Sequence, residues 1–256
     1  MTTCSGPWPG RFVWHDLMTT DAEKSAAFYA ALFGWDIQAR DVMGHTYREV
    51  HVGPGPIGGV IEEKSIPASH WMPYVAVDDV DATAAAITAR GGSVCVPPTD
   101  IPGTGRFSVV GDPQGAYFSI YRGEDGKHGA EPDLLVHGRP CWNEALVADD
   151  AAAQEFYTAV FGWQDLPKDL GPMGTYHRQM LGDAQVGGLM KNPMNGAPSC
   201  WLVYFHAADL AATTQQAKDL GATALVENEA VPDIGSFSML QDPLGAVFAL
   251  FGGPAT

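Results

Sequence analysis

An indole and a carboxylate recur at the same spacing in two places in this chain. Trp14 is followed two residues later by Asp16, and Trp142 is followed two residues later by Glu144. If each stretch is a β-strand, the two side chains of a pair point to one face, because strand side chains alternate with a period of two. A carboxylate beside an indole is partly desolvated. That environment suits it to general acid or base chemistry, or to binding a hydroxyl or amine of a ligand.

An alternative interpretation gives these carboxylates a structural role. Asp16 and Glu144 could pair with an arginine, such as Arg48 or Arg178, and hold neighbouring strands together. Structural ion pairs perturb carboxylates just as functional sites do. From the sequence alone both interpretations stay open.

The segments that carry the two pairs are copies of one another. Residues 12–35, FVWHDLMTTDAEKSAAFYAALFGW, recur with an offset of 128 positions in residues 141–163, CWNEALVADDAAAQEFYTAVFGW. Each copy predicts a strand, a turn and an amphipathic helix. Gly34 and Gly162 follow the two helices, where a residue in the left-handed region commonly ends a helix.

The two helix starts carry different capping signals. Thr20 with Glu23 three residues later matches a capping box, in which two side chains satisfy free backbone N–H groups. The second copy lacks this box, and Asp149 or Asp150 is the expected cap there. The sequence therefore predicts the same helix with two kinds of start.

Strand and turn signals extend the repeat over the whole chain. Each half continues with strand segments joined by Gly- and Pro-rich turns, and a weaker β-α-β-β-β echo follows in each half. The loop DPQGA at residues 112–116 returns as DPLGA at residues 242–246. We therefore expect an α+β protein of two tandem domains at residues 8–122 and 140–252, joined by a linker at residues 123–139. Each domain would contain two β-α-β-β-β modules.

These motifs resemble those of the vicinal oxygen chelate superfamily, the group of glyoxalases, bleomycin-resistance proteins and extradiol dioxygenases. The resemblance rests on the helix pattern D-x-x-x-[SA]-x-x-F-Y-x-x-[LV]-F-G-W and on the hairpin pattern D-P-x-G-x-x-[FI], each present twice. It covers the chain apart from its termini and linker. It implies that paired modules curl their sheets into cups that hold a small molecule. The fold does not by itself define the reaction.

The resemblance also implies positions for metal ligands, which this chain fills with other residues. Metal-dependent relatives carry His or Glu on the opening strands of the modules and after the D-P-x-G loop. The corresponding residues here are Trp14, Met72 and Ser119 in the first domain and Trp142, Leu202 and Ala249 in the second. A divalent cation binds imidazole, carboxylate or thiolate groups. We therefore expect no metal, and the sequence indicates no other cofactor.

Histidines elsewhere do not restore a metal site. His15 lies one residue from the first ligand position, and alternation turns it to the opposite face of the strand, toward the helix. Its counterpart in the second half is Asn143. A site built from His45, His51 and His70 has no support in their spacing.

The cup implied by the resemblance would be rich in aromatic side chains, with Asp16 and Glu144 as its catalytic acid/base groups. The candidate substrate-binding residues are Trp14, Tyr47, Tyr74, Phe107, Tyr121, Trp142, Tyr176, Tyr204 and His206. Each aromatic residue taken alone could equally serve in core packing. As a set they favour a flat or hydrophobic small organic molecule over a phosphate or a sugar.

The composition excludes several classes of partner. The 256 residues are 46% hydrophobic and 17% charged, as in globular proteins, and carry a net charge of −16. Such an acidic chain is a poor candidate for binding nucleic acid or an anionic membrane surface. The N-terminus has no secretory pattern, and no run of about 18 apolar residues could span a membrane. We expect a cytoplasmic protein with reduced cysteines, either a monomer or a homodimer.

Three functions agree with these observations. The favoured one is an enzyme of the hydroxylase, isomerase or lyase type that acts without a divalent metal on a small carbonyl or aromatic compound. The second is a binding protein that sequesters such a compound, as bleomycin-resistance proteins do. The third is a metal-dependent glyoxalase or dioxygenase with displaced ligands. The Gly-rich turns do not precede helices as phosphate loops do, and a G-x-S-x-G elbow is absent from the sequence.

Overall fold

The repeat seen in the sequence defines the fold. The computed structural model describes residues 9–53, 55–124, 135–194, 196–232 and 234–253. Within these ranges each half of the chain passes twice through a β-α-β-β-β module. This confirms the α+β fold of four modules that the repeat predicts.

The elements of the first half are β1 (Phe12–Thr19), α1 (Ala22–Phe33), β2 (Asp36–Val42), β3 (His45–Val52), β4 (Gly55–Glu62), β5 (His70–Ala76), α2 (Val80–Ala89), β6 (Ser93–Ile101), β7 (Gly105–Gly111) and β8 (Tyr117–Gly123). Those of the second half are β9 (Pro140–Val147), α3 (Asp150–Phe161), β10 (Gln164–Asp169), β11 (Thr175–Leu181), β12 (Ala184–Lys191), β13 (Cys200–His206), α4 (Leu210–Asp219), β14 (Thr223–Val231), β15 (Gly235–Gln241) and β16 (Val247–Gly252). A short 3₁₀ turn at Gly171–Met173 precedes β11.

Each half forms one curled eight-stranded sheet. The strand orders are β2-β3-β4-β1-β5-β8-β7-β6 and β10-β11-β12-β9-β13-β16-β15-β14. Within a module the first and last strands pair in parallel and the others pair as antiparallel hairpins. The register places Asp16 opposite Gly59 in the first sheet and Glu144 opposite Gly188 in the second.

Aspartates cap all four helices. Asp21 accepts a hydrogen bond from the backbone N–H of Lys24, and Asp149 accepts one from Ala152. The capping box predicted at Thr20 is therefore wrong. Helix α1 begins one residue later than the box requires, so Asp21 occupies the cap position and its carboxylate reaches the backbone N–H of Lys24. The predicted cap at Asp149 is confirmed.

Both long helices end as the sequence predicts. Gly34 has φ 69° and Gly162 has φ 70°, both in the left-handed region. Each donates its backbone N–H to a carbonyl of the last helical turn, at Ala30 and Thr158 respectively. Glycine adopts this conformation without the steric cost that a Cβ would add.

Contacts divide the described residues into two compact units, which we call terminal and central. The terminal unit contains residues 14–72, 135–143 and 202–253, and the central unit contains residues 9–13, 73–124 and 144–201 where these are described. Each unit therefore combines one module from each half of the chain and has its own apolar core.

A buried chain of polar groups joins the two modules within the terminal unit. Trp71 Nε1 donates to the hydroxyl of Tyr29 at 3.0 Å, and this hydroxyl donates to Asp242 Oδ2 at 3.1 Å. Burial raises the pKa of Tyr29 well above its usual value, so the phenol remains a donor. The tyrosine belongs to the F-Y motif of the first half and the aspartate to the D-P-x-G loop of the second. Both motifs thus support the fold.

The central unit contains the same arrangement with the halves exchanged. Trp201 Nε1 donates to Tyr157 at 3.1 Å, and the Tyr157 hydroxyl donates to Asp112 Oδ2 at 3.0 Å. Burial raises the pKa of Tyr157 as well. Because buried polar groups must find partners, these chains hold the two modules of each unit in one arrangement.

Candidate functional site

The two faces of strand β1 have different environments. Leu17 is fully buried in the apolar core of the terminal unit, together with Phe28 and Leu32 of helix α1. Strand alternation therefore turns Trp14 and Asp16 to the other face of the sheet. This is the arrangement that the spacing of the indole and the carboxylate predicts.

Trp14, Asp16 and Tyr47 form a hydrogen-bonded cluster on that face. Asp16 Oδ1 accepts a hydrogen bond from the Tyr47 hydroxyl at 2.8 Å and another from Trp14 Nε1 at 3.0 Å. The indole N–H is shared, because it also lies 2.8 Å from the Tyr47 oxygen. Asp16 Oδ1 is thus the acceptor of two hydrogen bonds within this cluster. The carboxylate is 3% exposed, whereas both rings are half-buried.

A glycine on the neighbouring strand makes this cluster possible. Gly59 stands opposite Asp16, and the ring of Tyr47 lies directly over it. A Cβ added at Gly59 would fall 2.1 Å from Tyr47 Cζ and 2.3 Å from its hydroxyl oxygen. Any larger residue would therefore displace the tyrosine from the carboxylate. This is the structural role of the second glycine in the Gly58-Gly59 pair.

The alternative ion pair with Arg48 is not formed. Arg48 lies on the opposite face of β3, where its Nη2 is 3.6 Å from Glu23 of helix α1. In the second half, Arg178 Nε donates to the carbonyl of Leu166 at 3.3 Å. The arginines named by the structural interpretation thus have other partners.

His15 is buried on the face opposite Trp14, and its partner is its own counterpart in the repeat. His15 Nε2 lies 2.9 Å from Asn143 Oδ1. Burial lowers the pKa of His15 to about 4, and the Asn143 hydrogen bond only partly opposes this effect. His15 is therefore neutral near pH 7 and serves as a hydrogen-bonding group in the interior.

Sequence reasoning missed two polar residues on the face of Asp16. Glu49 Oε1 accepts from His51 Nε2 at 2.6 Å and lies 2.7 Å from Arg40 Nη2. The signal was available, because Tyr47, Glu49 and His51 alternate along one strand. The spacing of His51 from the other histidines carries no such signal, whereas strand alternation places it on the face of Tyr47 and Glu49.

The second half presents a related but different face in the central unit. Glu144 is 5% exposed and lies opposite Gly188, as Asp16 lies opposite Gly59. Tyr176 is half-buried on β11 of this unit. Trp142 is half-buried on β9 and belongs to the terminal unit. The catalytic role of Glu144 and the ligand contacts of Trp142 and Tyr176 remain predictions.

The other predicted substrate-binding residues lie on strands β5, β7, β8 and β13. In the central unit Phe107 is paired with Tyr121 across β7 and β8, and the Tyr121 hydroxyl donates to the carbonyl of Thr104 at 2.9 Å. Tyr74 is buried on β5. In the terminal unit the ring of Tyr204 lies 6.1 Å from that of Phe237, and His206 is half-buried. Their contact with a ligand also remains a prediction.

The positions that bind metal in metal-dependent relatives do not fit a divalent cation here. Trp14 offers only an N–H donor, and it is used by Asp16 and Tyr47. Met72 is buried and Ser119 is fully buried. Neither side chain supplies the imidazole or carboxylate that such a cation requires. Among the residues that the structure describes, no group of three or more His, Cys, Asp or Glu side chains is arranged to hold a metal ion.

Two tandem α+β domains with curled sheets define the class of protein. A family model described as the Glyoxalase/Bleomycin resistance protein/Dioxygenase superfamily matches residues 11–120. A second model, described as a glyoxalase-like domain, matches residues 144–251. The chain therefore belongs to the glyoxalase/bleomycin resistance protein/dioxygenase superfamily, which confirms the resemblance found in the sequence.

Several proteins are similar over nearly the whole chain. A Mycobacterium tuberculosis protein named "Putative glyoxylase CFP32" is 34% identical over 93% of this chain and 92% of its own length. The anthracycline biosynthesis protein DnrV of Streptomyces peucetius is 33% identical over 94% of this chain and 93% of its own length. These relatives share both domains.

Solved structures show the same fold at low sequence identity. The Mn(II)-bound glyoxalase from Novosphingobium aromaticivorans has a TM-score of 0.69 at 17% identity, over 95% of this chain and 82% of that one. The 2,3-dioxygenase LapB from Pseudomonas sp. KL28 has a TM-score of 0.66 at 14% identity, over 97% and 94% of the two chains. None of the helices in the described ranges is long and apolar enough to cross a membrane.

Proposed function

We propose that this protein binds a small carbonyl or aromatic molecule and transforms it by acid/base chemistry, without a divalent metal at the ligand positions of the superfamily. The observation that carries the proposal is the cluster of Trp14, Asp16 and Tyr47. Two half-buried rings backed by a fixed carboxylate provide an apolar surface with one oriented polar group. Small-molecule sites commonly combine these two features.

The names of the relatives support this class of substrate. DnrV and its Streptomyces counterpart DauV are named for anthracycline biosynthesis, and CFP32 for a glyoxylase. Such names are consistent with aromatic or carbonyl compounds and with a tailoring reaction of the hydroxylase, isomerase or lyase type. Glu144 is the proposed acid/base group of the second half.

Asp16 acts through Tyr47 in this proposal. The carboxylate is 3% exposed, so a ligand reaches it through the half-buried tyrosine. When the Tyr47 oxygen takes a proton from a ligand hydroxyl, the phenolic proton moves along the 2.8 Å hydrogen bond to the carboxylate of Asp16. The reverse transfer returns a proton to the ligand and restores both groups. The shared N–H of Trp14 holds the two oxygens in place.

A second candidate function is sequestration without turnover, as in bleomycin-resistance proteins. The observation that favours it is the low exposure of Asp16 behind two rings, which suits retention of a flat ligand. The third hypothesis, a metal-dependent glyoxalase or dioxygenase with displaced ligands, lacks a fitting set of donors at Trp14, Met72 and Ser119.

The proposal can be tested with 2-hydroxyacetophenone, which combines an aromatic ring with an α-hydroxyketone. Proton NMR in D₂O measures both its binding and the exchange of its α-hydrogens, which requires a base. We expect the wild type to catalyse exchange at a rate above that of the buffer. Asp16→Asn should lower kcat/KM by about tenfold or more, equal to about 1.4 kcal/mol.

This substitution separates function from stability. The asparagine Oδ1 can accept the same two hydrogen bonds, so the melting temperature should change little. A large fall in melting temperature with unchanged kcat/KM would establish the structural role instead. Binding without exchange would support sequestration, and exchange that is abolished by a chelator and restored by Mn²⁺ would support the metal-dependent hypothesis.

A further inference from the structure

Strand β3 presents three polar side chains on the face that carries Asp16. Val50 and Val52 are buried in the core of the terminal unit, so alternation turns Tyr47, Glu49 and His51 to the opposite face. The hydrogen bond from Tyr47 to Asp16 confirms this orientation for the first of the three. The 2.6 Å contact between Glu49 and His51 confirms that these two point the same way.

The hydrogen bonds around Glu49 define the state of the histidine ring. Glu49 Oε1 lies 2.6 Å from His51 Nε2 and 2.7 Å from Arg40 Nη2. A carboxylate paired with a guanidinium is ionised and can only accept, so His51 Nε2 carries the hydrogen. In the neutral ring Nδ1 is then the unprotonated nitrogen. It makes no hydrogen bond to any residue in the described ranges, and the His51 side chain is 23% exposed.

The strand register places His51 toward the end of the face that carries Trp14. Glu49 and Asp16 both lie opposite Gly59, two strand spacings or roughly 10 Å apart. Because β3 is antiparallel to β4 and β4 is parallel to β1, the step from Glu49 to His51 runs in the same direction as the step from Asp16 to Trp14, and the bulge places His51 opposite Pro56. The ring of Tyr47 lies between the two rows, over the glycine.

We propose that His51, oriented by Glu49, is a second proton-transfer group on this face and acts on a ligand with an acidic C–H beside a carbonyl. This inference rests on the proposed function and assigns its base. The C–H bond breaks, its electron pair enters the conjugated carbonyl, and the proton bonds to His51 Nδ1. The imidazolium that forms is stabilised by Glu49, and it returns the proton to the ligand at the end of the cycle. Tyr47 and Asp16 meanwhile handle the hydroxyl proton.

The repeat supplies an internal control for this assignment. The register pairs Arg178 with Gly188 as it pairs Glu49 with Gly59, and a bulge precedes Met180 as one precedes His51. The second half therefore has an arginine and a methionine where the first has the glutamate and the histidine. Neither replacement can accept a proton from a ligand.

The test compares four variants in the deuterium exchange of 2-hydroxyacetophenone. His51→Gln should lower kcat by roughly 100-fold and leave KM nearly unchanged. Glu49→Gln should lower kcat by about tenfold, again with little change in KM, because the glutamate acts only through the histidine. His45→Gln is the matched control, since this exposed histidine begins the same strand, and it should exchange at the wild-type rate. Asp16→Asn tests the proposed function separately.

The outcomes distinguish the two proposals. Exchange that survives His51→Gln but falls with Asp16→Asn would overturn the role of His51 and leave the proposed function intact. A wild type without exchange would overturn both. A ¹⁵N NMR spectrum of the histidine rings checks the tautomer without a ligand. We expect hydrogen on Nε2 of His51, and hydrogen on Nδ1 of the neutral ring would overturn the proposal.

Discussion

The first modules of the two halves share one scaffold and differ in the side chains on one face of the sheet. In the terminal unit Asp16 and Glu49 lie on either side of Gly59, and His51 follows on the same face. In the central unit Glu144 and Arg178 lie on either side of Gly188, and Met180 follows. The strands, the glycine and the bulge agree, while all three side chains differ, and only Asp16 and Glu144 are both carboxylates.

The motifs that the two halves share and the residues that differ between them lie in different environments. The motifs shared by both halves, such as the F-Y tyrosine and the D-P-x-G aspartate, end in buried hydrogen bonds. The residues that differ lie on the opposite face of the sheet, where a ligand can be recognised. We infer that the first half carries more of the acid/base chemistry than the second. The comparison can be tested residue by residue.

The largest loss of stability is expected for the phenylalanines that end helices α1 and α3. Phe33 is 6% exposed and packs against Trp35 and Phe205, with ring centroids 5.2 and 5.5 Å away. Phe33→Ala should lower the free energy of unfolding by about 3–5 kcal/mol. Phe161 is only half-buried, so Phe161→Ala should cost about half as much. Urea denaturation measures both, and equal losses would show that the two helices are anchored alike.

The sequence predicts the fold because local signals and the repeat agree. Alternation, helix periodicity and the glycine stops at Gly34 and Gly162 are short-range features, and each appears twice. The error at Thr20 has a local cause, since two adjacent caps compete and Asp21 reaches the helix better. A shift of one residue at a helix start is beyond the resolution of such patterns.

The site is less predictable because its contacts join distant segments. The hydrogen bonds from Tyr47 to Asp16 and from Trp14 to Tyr47 link positions 31 and 33 residues apart. The register of strands β1, β4 and β3 determines these contacts, and no local pattern encodes it. Strand alternation predicts that Trp14 and Asp16 share a face. Their hydrogen bonds to Tyr47 depend on the strand register, which the sequence does not show.

A second difference concerns pH, because His15 has Asn143 as its counterpart. Burial lowers the pKa of His15 to about 4, below its unfolded value of 6.5. As the pH falls, His15 is protonated in the unfolded chain before it is protonated in the folded protein. The free energy of unfolding therefore falls as the pH drops from about 6.5 toward 4. This group should lower the free energy of unfolding by about 3 kcal/mol at pH 4.

The variant His15→Asn isolates this contribution. The asparagine cannot titrate and can still hydrogen-bond with Asn143, so the variant should lose less stability than the wild type between pH 7 and pH 4. Denaturation curves at several pH values provide the measurement. Parallel pH profiles for the two proteins would contradict the burial of a neutral His15.

The buried tyrosines should show no difference between the two units. Tyr29→Phe removes the hydrogen-bond partner of Trp71 Nε1 and Asp242 Oδ2, and Tyr157→Phe does the same to Trp201 Nε1 and Asp112 Oδ2. Oδ1 of each aspartate keeps its backbone hydrogen bonds. Each variant should lose about 1–3 kcal/mol, the cost of leaving buried polar groups unsatisfied. Unequal losses would show that one unit tolerates the loss of the tyrosine hydroxyl better, for example by admitting a water molecule in its place.

The smallest expected effect on free energy decides the functional comparison. Asp16→Asn and Glu144→Gln each replace a buried carboxylate, opposite a glycine, by its amide. If the first half carries more of the chemistry, Asp16→Asn should lower kcat/KM for 2-hydroxyacetophenone by about tenfold, or 1.4 kcal/mol. Glu144→Gln should lower it by less than about threefold, because its face lacks the counterpart of His51. Equal losses would mean that Arg178 and Met180 support the same reaction, and the distinction between the halves would fail. A larger loss for Glu144→Gln would move the principal site to the central unit, with Asp16 retained for binding.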